Sequence, residues 1–325
     1  MNILLFAAAA FLIVLLLGPV VIPFLRRLKF GQEIREIGPN WHKSKAGTPT
    51  MGGLMFLLAI AIIGFLMAVF RHLDIRAFLL ILTAMAFGII GLIDDYIKVA
   101  MKRNLGLTSI QKFSLQLLVA VVFVFLLKYY NLIHTQIIFP FIDTPWDMGW
   151  LYYPFAVFVI LAGVNAVNLT DGLDGLASSI TLIVCIVIGY IAYFLGEQLL
   201  GTEQTFLTVL SFSVAAMCAG FLVYNHYPAK VFMGDTGSLF LGGFVSCAVI
   251  ILNIPVFLIL IGIIYFIETL SVIIQVISFK LTGKRVFKMS PIHHHFEMCG
   301  WSEVKIVLVF SAVTLAAGLI AILSL

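Results

Sequence analysis

Apolar runs of about 20 residues, the length at which a helix crosses a hydrocarbon core of about 30 Å, recur from one end of the chain to the other. The polar clusters and helix breakers between them place ten expected spans near 3–25, 53–70, 77–93, 113–130, 151–167, 176–196, 204–224, 238–254, 256–279 and 303–325. Pro19 and Pro23 are expected to bend the first span, because proline removes an intrahelical donor. Only Asn253, Ile254 and Pro255 part the eighth span from the ninth, which makes that separation the weakest step in the count.

Composition turns this pattern into a class. With 325 residues, 62% hydrophobic, 10% charged and a mean hydropathy of +1.16, the chain has too little polar surface to coat a water-soluble globule. The expectation is an all-α integral membrane protein of about ten transmembrane helices, forming one polytopic domain over 1–325. The first run lacks a basic leader and a small-residue cleavage site and is followed by Arg26, Arg27 and Lys29, as expected of a retained helix. One alternating set of loops, with Lys305 just inside the last span, collects 16 of the 19 lysines and arginines, so the positive-inside rule makes that side cytoplasmic and both termini extracytoplasmic. The outer stretch 131–150 holds Asp143 and Asp147 and no lysine or arginine. Cys185, Cys218, Cys247 and Cys299 form no C-x-x-C pair and read as packing residues.

Against this apolar background five aspartates mark the cytoplasmic ends of spans. Asp94 and Asp95 close the third, with Lys98 at i+4 from Asp94, so that Asp94 and Lys98 can pair or grip one phosphate; a plain ion pair at a solvated helix end is the alternative. Two anions near a helix C-terminus oppose its dipole and call for a cation nearby. The fifth span closes with Asn165, Asn168, Asp171 and Asp174 at every third residue, a polar stripe if helical, with Gly172 and Gly175 allowing close backbone approach. A turn and cap before the sixth span would explain Asp174 and Gly175 but not the asparagines at depth.

Two polar loops add ligand chemistry. Gly234-Asp235-Thr236-Gly237-Ser238 could place backbone N–H groups around a phosphate, with Asp235 as an oxygen ligand to a divalent metal. Phe232 beside it could stack on a base or anchor the loop at the bilayer interface. His293, His294 and His295 are consecutive, and diverging neighbours ligate one ion poorly, so phosphate binding or proton handling is expected ahead of a zinc site. The first loop, His42 to Gly53, is basic and rich in glycine and hydroxyls, as suits anions. Lys112, opening the fourth span, fits either ligand binding or simple topology. In the ninth span Glu268 is equally consistent with a structural hydrogen bond and with a substrate cavity, while Gln275, two turns nearer the cytoplasm, is the better ligand contact.

In order and spacing the segments GTPTMGG (47–53), DDYIK (94–98), NAVNLTDGLDGL (165–176), NHYPAKVFMGDTGS (225–238) and PIHHHFE (291–297) closely resemble the polyprenyl-phosphate N-acetylhexosamine-1-phosphate transferases over essentially the whole chain. GTPTMGG and PIHHHFE look like the branch acting on a MurNAc-pentapeptide donor. The resemblance implies transfer of phospho-MurNAc-pentapeptide from UDP-MurNAc-pentapeptide to undecaprenyl phosphate, giving lipid I and UMP at a bacterial cytoplasmic membrane, with Mg²⁺ required. It implies Asp94, Asp95, Asp235 and the three histidines as the catalytic set, with Asp235 the metal ligand. Asn168, Asp171, Asp174, Asn225 and Phe232 become the nucleoside pocket, and Lys43, Lys45, Thr48, Thr50 and Gln275 further substrate contacts. A homodimer is compatible with it, and no nucleic-acid partner follows. A sister transferase using another UDP-N-acetylhexosamine is the nearer rival. A secondary transporter is disfavoured, because its coupling acids would lie at the bilayer midplane.

Overall fold

A computed structural model of the chain describes residues 2–28, 47–70, 73–101, 106–200 and 205–325. Among them nine helices are long and apolar enough to cross a membrane: α1 (Ile3–Arg27), α3 (Ile75–Ala100), α4 (Ser109–Tyr129), α5 (Tyr152–Thr170, entered through a 3₁₀ turn at Gly149–Leu151), α6 (Leu176–Phe194), α8 (Thr205–Asn225), α9 (Gly234–Ile251), α11 (Ile263–Thr282) and α13 (Glu303–Leu323). The shorter apolar helix α2 (Leu54–Val69) makes the tenth expected span. Short helices α7 (Gly196–Leu200), α10 (Leu258–Ile261) and α12 (Ile292–Met298) complete the set. Helices dominate because lipid cannot hydrogen-bond the backbone, so each span must satisfy its own peptide groups.

The ends are set by side chains. Asn2, Asp74 and Ser302 accept from Leu5, Ala77 and Lys305 backbone N–H groups to start α1, α3 and α13. Thr108 and Gln111 form a reciprocal capping box on α4. α1 runs unbroken through Pro19 and Pro23.

Four boundaries depart from the sequence reading. α3 continues to Ala100, so Asp94 and Asp95 lie inside the helix and their side chains find partners before the helix ends. α5 stops at Thr170, and Asp171 to Gly175 form a turn that breaks the expected stripe. α9 begins at Gly234, so the glycine-rich segment that reads as a loop is its first turn. The ninth span is interrupted: Asn253 (φ +61°), a 3₁₀ turn at Pro255–Phe257 and α10 lead to Gly262, after which α11 runs to Thr282. The stretch 131–150 also departs from an all-helical chain, folding as an antiparallel hairpin of β1 (Gln136–Phe139) and β2 (Ile142–Asp147), with Phe139 opposite Ile142. Asn253 Nδ2 donates to the Gln136 carbonyl at 2.6 Å and its Oδ1 accepts from Tyr152 Oη at 3.0 Å, tying the hairpin to α5 and α9.

The core is built around α9, buried along nearly its whole length and packed between α3 and α5. Small residues make that contact possible, as expected where helices must approach closely without a hydrophobic drive. A Cβ on Gly91 of α3 would overlap the backbone carbonyl of Asp235, and one on Gly53 would overlap the backbone of Gly237. The exposed faces of α1, α4, α11 and α13 carry Leu, Ile, Val and Phe. The cysteines are free, three buried in helices and Cys299 exposed.

Gly91→Ala is expected to destabilise the protein by about 1–3 kcal/mol through overpacking, read as a lower melting temperature in detergent. Gly64→Ala, whose added methyl meets the flexible end of Ile81, is the mild comparison. Equal melting temperatures for the two variants would contradict the close α3–α9 approach.

Candidate active site

The close approach at Gly91 brings one further turn of α3 against the start of α9. Asp95, almost fully buried, spends both oxygens on α9: Oδ1 accepts from the Asp235 N–H at 3.2 Å, and Oδ2 from the Thr236 N–H at 2.9 Å and Thr236 Oγ1 at 2.7 Å. A carboxylate from another helix therefore caps α9, where its charge suits the helix dipole. Asp94 turns the other way, with Oδ1 accepting from Leu107 N–H at 2.7 Å and Oδ2 paired with Lys98 Nζ at 2.6 Å.

Asp235 is the hub. Its Oδ2 meets Lys98 Nζ at 2.6 Å and Lys112 Nζ, from α4, at 2.9 Å, while Oδ1 accepts from Asn168 Nδ2 of α5 at 2.7 Å. Four helices thus converge on one carboxylate. Carboxylate oxygens of Asp94, Asp95 and Asp235 all lie within 4.8 Å of one another, and among the described residues this is the only group of three or more such side chains arranged to hold a metal ion. In formal charges, three carboxylates against two ammoniums leave one negative. That balance, and an all-oxygen donor set, favours a hard divalent cation.

Next to the cluster runs the turn Asp171 to Gly175. Asp171 is half-buried, and desolvation, then the charges of Asp235, Asp95 and Asp174, push its carboxyl well above the ordinary carboxylate range. Asp174 is buried and accepts from the Ala229 N–H at 2.9 Å. Asn225 also binds the turn: its Oδ1 accepts from Gly175 N–H and Ser178 Oγ, both at 3.1 Å, and its Nδ2 donates to the Val231 carbonyl at 2.9 Å. The end of the first loop is stitched onto the same region, since Phe232 N–H donates to the Pro49 carbonyl and Gly52 N–H to the Phe232 carbonyl, at 2.9 and 2.8 Å. Thr50 consequently sits beside Gly234.

The three histidines point three ways. His293 Nδ1 meets Glu268 of α11 at 3.0 Å, His294 Nδ1 meets Glu297 at 2.6 Å, and His295 Nδ1 accepts from the Lys288 N–H at 3.1 Å. Gln275 braces the preceding loop, accepting from the Val286 and Phe287 N–H groups and donating to the Phe287 carbonyl.

The expected residues Asp94, Asp95, Lys98, Lys112, Asn168 and Asp235 therefore meet directly. Asp171, Gly172, Asp174, Asn225 and Phe232 frame the adjoining turn and loop, and Thr48 is partly buried on the first loop. Lys43 and Lys45 lie outside the described residues. Asn225 and Gln275 were expected as ligand contacts; Asn225 bonds the Gly175 and Val231 backbone and the Ser178 hydroxyl, and Gln275 bonds the Val286 and Phe287 backbone. Asn165 leaves the stripe and donates to Gln116 of α4 at 2.9 Å. Thr236 and Ser238, expected as part of a phosphate-binding segment, bond Asp95 and Asn168 (Ser238 Oγ accepts from Asn168 Nδ2 at 2.8 Å), and the sequence reading missed Gln116 and Glu303, which accepts from the Asp174 N–H at 3.2 Å. Gln116 lies at i+4 from Lys112, a helical spacing that could have revealed it.

These features define an integral membrane protein with an acid and lysine cluster at one end of its helix bundle, equipped for phosphate chemistry. Residues 77–253 match glycosyl transferase family 4, and residues 45–57 match the description phospho-N-acetylmuramoyl-pentapeptide-transferase signature 1. The phospho-N-acetylmuramoyl-pentapeptide-transferases of Bacillus thuringiensis (strain Al Hakam) and Bacillus cereus (strain AH187) are each 49% identical over 308 residues, covering 94% of this chain and 93% of the relative. The chain belongs to the phospho-N-acetylmuramoyl-pentapeptide-transferase family.

Asp95→Asn leaves one acceptor for three donors and should cost about 1–2 kcal/mol of stability, as a lost cap does, together with much of the activity because Asp235 loses its seat. An unchanged melting temperature would contradict the capping role, whatever the activity.

Proposed function

We propose that this protein transfers phospho-MurNAc-pentapeptide from UDP-MurNAc-pentapeptide to undecaprenyl phosphate, forming lipid I and UMP, as a multi-pass enzyme of the bacterial cytoplasmic membrane. The observation that carries this reading is 49% identity across nearly the full length of curated phospho-N-acetylmuramoyl-pentapeptide-transferases. The acid cluster supports it at the level of chemistry. Phosphoryl transfer asks for charge neutralisation and in-line positioning more than for covalent help.

Asp94, Asp95 and Asp235 would hold Mg²⁺, with Asp235 its principal ligand, since their oxygens converge within 4.8 Å. Bound there, the ion would offset charge on the diphosphate oxygens. Lys98 and Lys112, each within 3 Å of Asp235, are placed to take phosphate oxygens as substrate enters. A phosphate monoester has a second pKa of about 6, so the acceptor is mostly a dianion at neutral pH and needs little help from a base. An acceptor oxygen attacks the sugar-bearing phosphorus, the P–O–P bond breaks, and UMP leaves with the electron pair. Asp94 then positions groups and is not itself phosphorylated. The Asp171 to Gly175 turn and Phe232 would receive the nucleoside, with Phe232 stacking on the base, and the histidine helix α12 would close over the diphosphate and sugar. Cytoplasmic placement of this end, with both termini outside, follows from the charge asymmetry of the loops. It lets the lipid acceptor stay in the inner leaflet while the nucleotide arrives from water.

Purified protein supplied with undecaprenyl phosphate should release UMP from UDP-MurNAc-pentapeptide at least tenfold faster than from UDP-N-acetylglucosamine, and Phe232→Ala should weaken inhibition by added UMP. Preference for another UDP-N-acetylhexosamine would replace the reading with a sister transferase.

A further inference from the structure

Glu268 is an acid in the middle of a membrane-spanning helix, fully buried, and its described partner is a histidine that is itself 1% exposed. Placing a carboxylate there is costly, and a buried pair of this kind usually adds little stability over apolar packing. The arrangement is specific in a way that stability does not require. Oε1 meets His293 Nδ1 at 3.0 Å and Oε2 meets the His293 backbone N at 3.5 Å, so both oxygens face the first turn of α12. With Glu268 ionised and the imidazole neutral, Nδ1 carries the ring proton. Nε2 is left as a lone-pair acceptor.

That Nε2 is buried and has no hydrogen-bond partner among the described residues. It lies against Gly172, in the turn between Asp171 and Asp174, where a Cβ would overlap the ring. The Gly172 N–H is already given to the Thr170 carbonyl at 2.9 Å. On its other side the His293 ring lies on His294, with centroids 4.1 Å apart, and His294 is held in turn by Glu297. A tilt of His293 would therefore move both the turn and the next histidine.

We propose that Glu268 is a positioning residue for the transfer reaction: from α11 it fixes the tautomer and tilt of His293, leaving Nε2 as a free acceptor beside the Asp171–Gly175 turn and setting α12 against it. The inference rests on the transferase reading for its kinetic test, and has a spectroscopic test that does not.

The full-length protein in detergent is compared with Glu268→Gln, Glu268→Ala, Gly172→Ala and the Glu268→Ala/Gly172→Ala double variant, following UMP release against UDP-MurNAc-pentapeptide concentration. Glu268→Gln keeps an acceptor for Nδ1–H and should lose about 10-fold in kcat, Glu268→Ala about 100-fold, the range seen when a partner that orients a functional histidine is removed. KM should stay within about threefold. Gly172→Ala displaces the same ring, so the double variant should be little worse than Glu268→Ala alone. Losses that multiply, or a raised KM at unchanged kcat, or a fall in melting temperature for Glu268→Gln that accounts for its lost activity, would each overturn the proposal. In ¹⁵N-histidine spectra, the His293 signal, assigned by its absence in His293→Gln, should report an unprotonated Nε2 in the parent and tautomer exchange in Glu268→Ala. A protonated Nε2 in the parent overturns the inference whatever the turnover. No UMP release by the parent protein would instead count against the transferase reading.

Discussion

The meeting of two helix ends, α3 with its aspartates and α9 with its N-terminus, is the constraint on which the rest of the site depends. Asp95 satisfies α9's orphan N–H groups, and in doing so fixes Asp235 one residue away. Asp235 would be intolerable in that apolar setting without Lys98 and Lys112, and those lysines are delivered by α3 and α4 at 2.6 and 2.9 Å. The capping bond and the ion pairs are therefore one device. Gly91 is its permit, because any larger residue would hold the two helices apart.

Around that device the protein arranges three further elements. The Asp171 to Gly175 turn is pinned by Asn225, Asp174 and Glu303, the first loop is sewn on by backbone bonds to Phe232 and Met233, and α12 is held from inside the bundle by Glu268. Each outer element reaches the centre through hydrogen bonds as well as through apolar contacts such as those of Met51, Leu173 and Phe296. In a bilayer, where lipid competes well with apolar side chains for contact, directional polar bonds are what can specify such positions.

The spans were legible because an apolar run of about 20 residues has few other uses in a chain this poor in charge. Boundaries were less so where polar side chains are satisfied by distant partners. Asp94 and Asp95 read as a helix end, yet α3 runs on to Ala100 because α9 and Lys98 absorb their charge. Gly234 and Gly237 read as loop, yet they begin α9 because close packing against α3 and α2 asks for small residues. DDYIK and GDTGS announce themselves as chemistry, since each gathers its groups within a few positions. Pairings between residues 25 to 141 positions apart, such as Glu268 with His293 or Asp95 with Thr236, have no local signature and emerge only from the fold.

On the proposed function, the three converging carboxylates form a divalent-cation site that the transfer reaction needs. Binding of Mn²⁺ as a Mg²⁺ surrogate, followed by electron paramagnetic resonance alongside UMP release, tests it most directly. Saturable binding is expected in the parent protein, at least tenfold weaker binding in Asp235→Asn, and UMP release that disappears on chelation and returns with Mg²⁺. Undiminished binding in Asp235→Asn, or full UMP release in the presence of chelator, would contradict it.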